Sequence, residues 1–150
     1  MKNIFTTLII FLFPLLVYGS DMDRIKSLNC AYVSENHFTI DPKKPMSEMF
    51  KGSEVVKTKM TARITNIDLV KNTAKIIGSN NTIEVVVIRN DMGFTFLEMN
   101  PSEVHTYVVY DTKTTDMDGS HFPTIHSRNL LIGGSTGVSS QLSGVCRAKF

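Results

Sequence analysis

The chain has no tryptophan, two cysteines and five prolines among 150 residues, and almost no surplus of either charge, with 16 Lys and Arg against 14 Asp and Glu. Each scarcity removes a class of explanation. Nucleic-acid binding calls for a basic domain or stripe, whereas here basic and acidic residues alternate along the chain. The short Lys43-Lys44 pair, set between Pro42 and Pro45, reads as a solvated turn. Two distant cysteines supply neither a Cys-x-x-Cys redox pair nor the paired ligands of a zinc site. There is no Gly-x-Ser-x-Gly elbow. Gly133-Gly134-Ser135-Thr136-Gly137 lacks the Gly-Lys-Ser/Thr ending of a phosphate loop and reads as a flexible connection.

What is present begins with Lys2, a nearly uncharged apolar run from Leu8 to Val17, and Val17-Tyr18-Gly19-Ser20 ahead of Asp21, Asp23 and Arg24. A basic start, a short apolar stretch and small residues at a cleavage site are the three parts of a secretory signal peptide. Val17 at −3 and Gly19 at −1 favour cutting after Gly19, so the expectation is a leader over 1–19 and a single domain over 20–150. A retained anchor needs about 18 or more apolar residues, and this run is too short and contains Pro14. No Cys follows it to carry a lipid. The expected location is therefore secreted or periplasmic. In that oxidising setting Cys30 and Cys146 have one way to pair, as a structural disulfide between the first and last parts of the domain.

Beyond Ser20 no segment sustains the apolar spacing of an amphipathic helix, whereas short alternating runs recur about every ten residues, as in all-β domains. Met60, Ala62 and Ile64 alternate with Thr61, Arg63 and Thr65. Asp68–Asn72 turns into Thr73–Ile77, and Gly78–Asn81 turns into Ile83–Ile88, whose nearly continuous apolar content predicts a strand covered on both faces. Asn90-Asp91-Met92-Gly93 folds Phe94–Met99 back on it, and Asn100-Pro101-Ser102-Glu103 leads to Val104–Asp111. Thr112–Ser120 reads as a mobile surface loop. Thr124–Arg128 and Leu142–Ala148 complete the strand set. Nearer the start, Leu28–Ser34 and His37–Ile40 read as two strands, and Ser47–Gly52 as one helical turn or none. The predicted fold is an antiparallel meander of about eight short strands, a closed or partly open barrel, with a two-sheet sandwich as the alternative. A Cys30–Cys146 bridge favours the barrel because it sets the first and last strands side by side. The missing Trp separates the chain from lipocalins proper. An outer-membrane barrel, which the terminal Phe150 brings to mind, needs longer strands and aromatic girdles.

Phe94, Phe96 and Glu98 share one strand face, and His126 and Arg128 share another. If those faces meet, Glu98 needs a partner, since an unpaired buried charge is costly, and Arg128 is the natural one. Such a polar anchor in an apolar pocket is how small-ligand sites fix orientation. Phe94, Phe96, Glu98, His126 and Arg128 are therefore the candidate ligand-binding residues. His126 and Ser127 point to opposite faces of a strand and make no nucleophile–base pair. His121 and His126 also face opposite ways, and His37 and His105 stand alone, so the residues point to no metal. Asp116-Met117-Asp118-Gly119 starts like a calcium loop but lacks its later ligands. No cofactor motif and no catalytic set is found.

At Thr95-Phe96-Leu97-Glu98, Ile125-His126-Ser127-Arg128 and Ser140-Gln141 through Gly144-Val145-Cys146 the chain resembles a group of small, secreted, uncharacterised bacterial proteins, over roughly Ile83 to Cys146. The resemblance implies compartment and fold and no activity. The expected function is a non-enzymatic exported domain binding a small apolar or amphipathic molecule or an envelope protein. The alternatives are an envelope enzyme or metal protein using Glu98, His105, His126 or Arg128, or a structural module with no ligand.

Overall fold

A computed structural model describes residues 21–40, 50–52, 55–78, 81–112, 121–132 and 136–150. The leader, the Lys43-Lys44 pair, the Asp116–Gly119 fragment and nearly all of the expected 112–120 loop lie outside the described residues. Ten strands follow a 3-10 turn at Asp21–Arg24. They are β1 (Ser27–Ile40), β2 (Phe50–Gly52), β3 (Val56–Lys57), β4 (Thr61–Asp68), β5 (Thr73–Ile77), β6 (Thr82–Asn90), β7 (Gly93–Met99), β8 (Glu103–Tyr110), β9 (His121–Ile132) and β10 (Thr136–Lys149). Strands β4 to β10 run as an antiparallel meander, and β1 pairs with both β4 and β10, which closes an eight-stranded barrel. The sandwich alternative is thereby excluded.

The turns form for local reasons. Asp68 accepts bonds from the Val70 and Lys71 amides at 3.0 Å each, and Asn72 takes a left-handed φ of 56° that asparagine tolerates. Asn90 accepts the Met92 amide at 2.9 Å ahead of Gly93, whose φ is 137°. Asn100 and Glu103 exchange backbone bonds around Pro101-Ser102, giving a two-residue hairpin loop.

Two bulges alter the side-chain alternation. The β1–β10 register slips between Tyr32 and Ser34, so Leu28, Cys30 and Tyr32 point inward before it and Glu35 lies across from buried Leu142 after it. Val33, the extra residue, is exposed. In β4 a register shift at Asn66, with φ 54°, returns Ile67 to the interior after Ala62 and Ile64. The two strands expected at Leu28–Ser34 and His37–Ile40 are thus one bulged strand. Phe50–Gly52 is strand and not the end of a helical turn, and residues 47–49 lie outside the described residues. Thr136-Gly137 belongs to β10 and not to a loop.

The expectation that Ile83–Ile88 is covered on both faces is also corrected. Val85 and Val87 are buried, but Val86 is 44% and Ile88 48% exposed, because a single closed sheet has one interior and no second layer outside. Inside, the barrel divides along its axis. One end is filled by Leu28, Ile64, Phe94, Val109 and Phe122, joined by Met22 from the 3-10 turn and Ile25 just after it. The chain passes beneath this end through Lys26, which donates to Lys149 O at 3.0 Å and accepts from the Ile67 amide at 3.4 Å. Arg89 lies over the Phe94 ring and pairs with Asp23 at 3.0 Å and Asp111 at 3.5 Å. That end is sealed; the other holds the polar interior.

Cys30 and Cys146 are directly opposed on β1 and β10 and form the disulfide, 116 residues apart in sequence. A cross-link over so long a loop removes about 4–5 kcal/mol of unfolded-state entropy in the chain-entropy model. Replacing both cysteines by serine is expected to lower the unfolding free energy by up to that amount, read from denaturant midpoints; an unchanged midpoint would show that the seam's hydrogen bonds suffice without it. Gly144 stands opposite Tyr32 at the bulge, where a Cβ would run into the Ala31 carbonyl and approach Tyr32 Cα to 2.8 Å. Because those are backbone atoms, Gly144→Ala is expected to cost about 1–3 kcal/mol.

Candidate functional site

A cavity of about 1190 Å³ lies at the open half of the barrel, and its lining also takes in exposed residues of β1 and β4 such as Asn29 and Arg63. Leu142, Ile76, Ile83, Ala62 and Met60 give it apolar wall, and Glu98, His105, Tyr107, His126 and Arg128 give it a polar one. The polar wall follows from period-two alternation on three neighbouring strands. Glu98 on β7 is opposite His105 on β8, His105 is opposite Arg128 on β9, and Tyr107 is opposite His126. Glu103, His105, Tyr107 and Val109 are spaced two apart on β8, so a carboxylate, an imidazole and a phenol are delivered to one face in sequence.

These groups form a chain of contacts. Arg128 donates to Glu103 Oε1 at 3.2 Å, Glu103 Oε2 meets His105 Nε2 at 2.7 Å, and His105 Nδ1 meets His126 Nε2 at 3.3 Å. The aromatic faces reinforce the alignment. Tyr107 and His126 stack with centroids 4.0 Å apart and planes within 8°, while Tyr32 lies tilted against His126 at 5.7 Å. His126 is 1% exposed and its Nδ1 has no hydrogen-bond partner among the described residues; the buried Tyr32 hydroxyl has none either. His105 thus bridges Glu103 and His126 through its two ring nitrogens, and Nδ1 of His126 is the nitrogen left over.

The electrostatics follow from burial. Desolvation, with His105 and Arg128 nearby, pushes the His126 pKa down to about 3. Burial raises the Tyr32 phenol to about 12, moderated by Thr124 beside it. Burial, then the Glu98 carboxylate, holds Tyr107 well above the usual phenol range. The hydrogen bond from His105, followed by that from Arg128, holds Glu103 below the usual carboxylate range. Both tyrosines therefore serve as neutral hydroxyls and His126 as a neutral imidazole.

No family model, curated protein or solved structure matches this chain.

Of the five candidate residues, Glu98, His126 and Arg128 line the cavity together. Phe94 and Phe96 are fully buried with ring centroids 5.7 Å apart and lie outside its lining. The expected Glu98–Arg128 pair does not form. Arg128 binds Glu103, while Glu98, 6% exposed, accepts from Asn100 Nδ2 at 2.9 Å. The reason is position: Glu103 begins β8 next to β9, whereas Glu98 is one strand further away. Sequence reasoning missed Glu103, Tyr107 and Tyr32. The alternation of Glu103, His105 and Tyr107 was the signal available for the first two; Tyr32, just before a bulge, had none. His126 has one hydrogen-bond partner among the described residues, His105. Among those residues no group of three His, Cys, Asp or Glu is arranged to hold a metal.

The neutral His126 sets a pH dependence. Below 6.5 the unfolded chain takes up a proton at this residue while the folded barrel does not until about 3, so the unfolded state is favoured as pH falls through that window. The contribution is at most one proton, about 1.4 kcal/mol per pH unit. Denaturant midpoints are expected to fall between pH 7 and pH 5, and His126→Phe, which keeps the ring stack but cannot protonate, is expected to fall clearly less. Equal slopes would show that another group titrates there.

Proposed function

We propose that this chain is an exported, non-enzymatic binding protein that takes a small amphipathic molecule into the open half of its barrel. The observation that carries this reading is the cavity itself: a volume slightly above the usual range of about 300–1,000 Å³ for ligand sites, sealed at one end, with an apolar wall facing a cluster of convergent polar groups. A molecule with a hydrocarbon body and a polar head matches both walls at once. Secretion to the periplasm or beyond is supported by the leader-like sequence of residues 1–19 and by the disulfide, which suits an oxidising compartment. The resemblance to small secreted bacterial proteins agrees with that location. A catalytic reading has less support, because the hydrogen-bond partner of His126 among the described residues is another imidazole, and burial keeps Tyr32 and Tyr107 protonated.

A protein partner is the second reading, favoured by Val86, Ile88, Met99 and Val104, all exposed on the outer wall. Native mass spectrometry of the oxidised protein, taken from a secretory compartment without refolding, separates the two. Extra mass that is lost on denaturation is expected for the ligand reading, and a bare mass favours a partner on the wall. The absence of native tryptophan offers a direct reporter. Ile83→Trp places one emitter on the cavity wall, and Val70→Trp places one on an exposed turn at the sealed end. Dodecanol is expected to shift the emission of the first saturably and leave the second unchanged. If neither responds and the native mass is bare, the cavity is not a binding site.

A further inference from the structure

Glu98 is a buried carboxylate with no cationic partner among the described residues. The nearest basic groups across the sheet, one and two strands away, each bind another residue. His105, directly across from Glu98, uses Nε2 on Glu103 and Nδ1 on His126, so neither ring nitrogen remains for a second carboxylate. Arg128, one strand further on, is held by Glu103. Glu98 keeps a single neutral donor, the Asn100 amide, at 6% exposure on the cavity wall. A buried carboxylate in that position is costly unless a cation or further donors reach it.

The surroundings add to the same demand. Glu35 also lines the cavity, and it has His37 at 3.4 Å as its partner. His126, 1% exposed, has an unpartnered Nδ1, and the stacked rings of Tyr107 and His126 offer aromatic surface of the kind that attracts cations. The other basic lining residues, Lys59 and Arg63, are exposed and lie on and before β4, with β5 and β6 between them and Glu98 on β7. Among the described residues Glu98 is therefore left with one amide donor and no cationic partner.

We infer that the molecule held in the barrel is a cationic amphiphile, an alkyl or aryl chain ending in a protonated amine, with its ammonium against Glu98 and its apolar body along Leu142, Ile76 and Ile83. This rests on the binding role proposed above and names the class of ligand for that same site. A primary ammonium supplies three donors to a carboxylate that has one, and its charge removes the cost of burying Glu98. An anionic head at the same place faces the carboxylate and is repelled; the attraction it finds lies away from Glu98, at Arg128, Lys59 and Arg63.

Three probes of one chain length decide the matter: dodecylamine, dodecanol and dodecanoate, each titrated calorimetrically below its micelle concentration into the oxidised, full mature protein. The amine is expected to bind about tenfold tighter or more than either of the others, a difference near 1.4 kcal/mol. Glu98→Gln, which keeps the side-chain shape and the oxygen facing Asn100, is expected to abolish that preference and leave dodecanol binding unchanged, with a melting temperature at or above that of the parent chain. Dodecanoate binding as tightly as the amine, or an amine preference that survives in Glu98→Gln, overturns the cationic assignment and leaves the binding role standing. Failure of all three to bind the parent protein overturns both.

Discussion

Everything in this molecule depends on one strand finding two partners. β1 pairs with β10 along its whole length and with β4 over its first half, and only this double pairing turns a meander, which would otherwise have two open edges, into a closed wall. The Cys30–Cys146 disulfide lies within that seam and points inward, so the covalent link and the hydrogen-bonded ladder enforce the same closure. Were the seam to part, the sealed end would lose its floor, since Lys26 is tied to Lys149 of β10 and to Ile67 of β4. The cavity would lose Cys30 and Leu142 from one side. Closure is therefore a condition for having an inside at all.

Given an inside, the arrangement of its polar groups is a competition for donors. Glu103 takes Arg128 and His105, and its pairing orients His105 so that His126 is met by the remaining nitrogen. Among the described residues the same allocation leaves Glu98 with one amide and Nδ1 of His126 without a hydrogen bond. The cluster is ordered at its rim and unsatisfied deeper in. The apolar core beneath it, where Phe94, Phe96 and Phe122 are fully buried, provides a rigid base for that contrast.

Much of the fold was legible because a barrel interior needs period-two alternation, and β4, β7 and β8 display it openly. The pairing of Cys30 with Cys146 followed from compartment and count. What stayed hidden has physical causes. Bulges at Val33 and Asn66 reverse the inward face midway along a strand, and no pattern in the residues marks where the reversal falls. The exposure of Val86 and Ile88 depends on there being no second layer, which an apolar run cannot announce. Met22 and Ile25 look like ordinary apolar residues beside a charged start, yet they seal one end. In the site, Glu98, His126 and Arg128 were found by strand parity. The actual partner of Arg128 was not, because it depends on which carboxylate lies nearer across the sheet, a question of register between strands joined by residues 111–120.

The unequal lengths of the strands have a geometric consequence. β1, β9 and β10 run 14, 12 and 14 residues, while β4 to β8 run between 5 and 9. The three long strands are adjacent, and their extra length projects beyond the cavity end, where β2 and β3 pair along the flank of β1. On the β4–β7 side, Gly78, Asn81 and Asn100 border the cavity. Among the described residues, the wall around the cavity is therefore taller on the side of β9, β10 and β1 than on the side of β4 to β7.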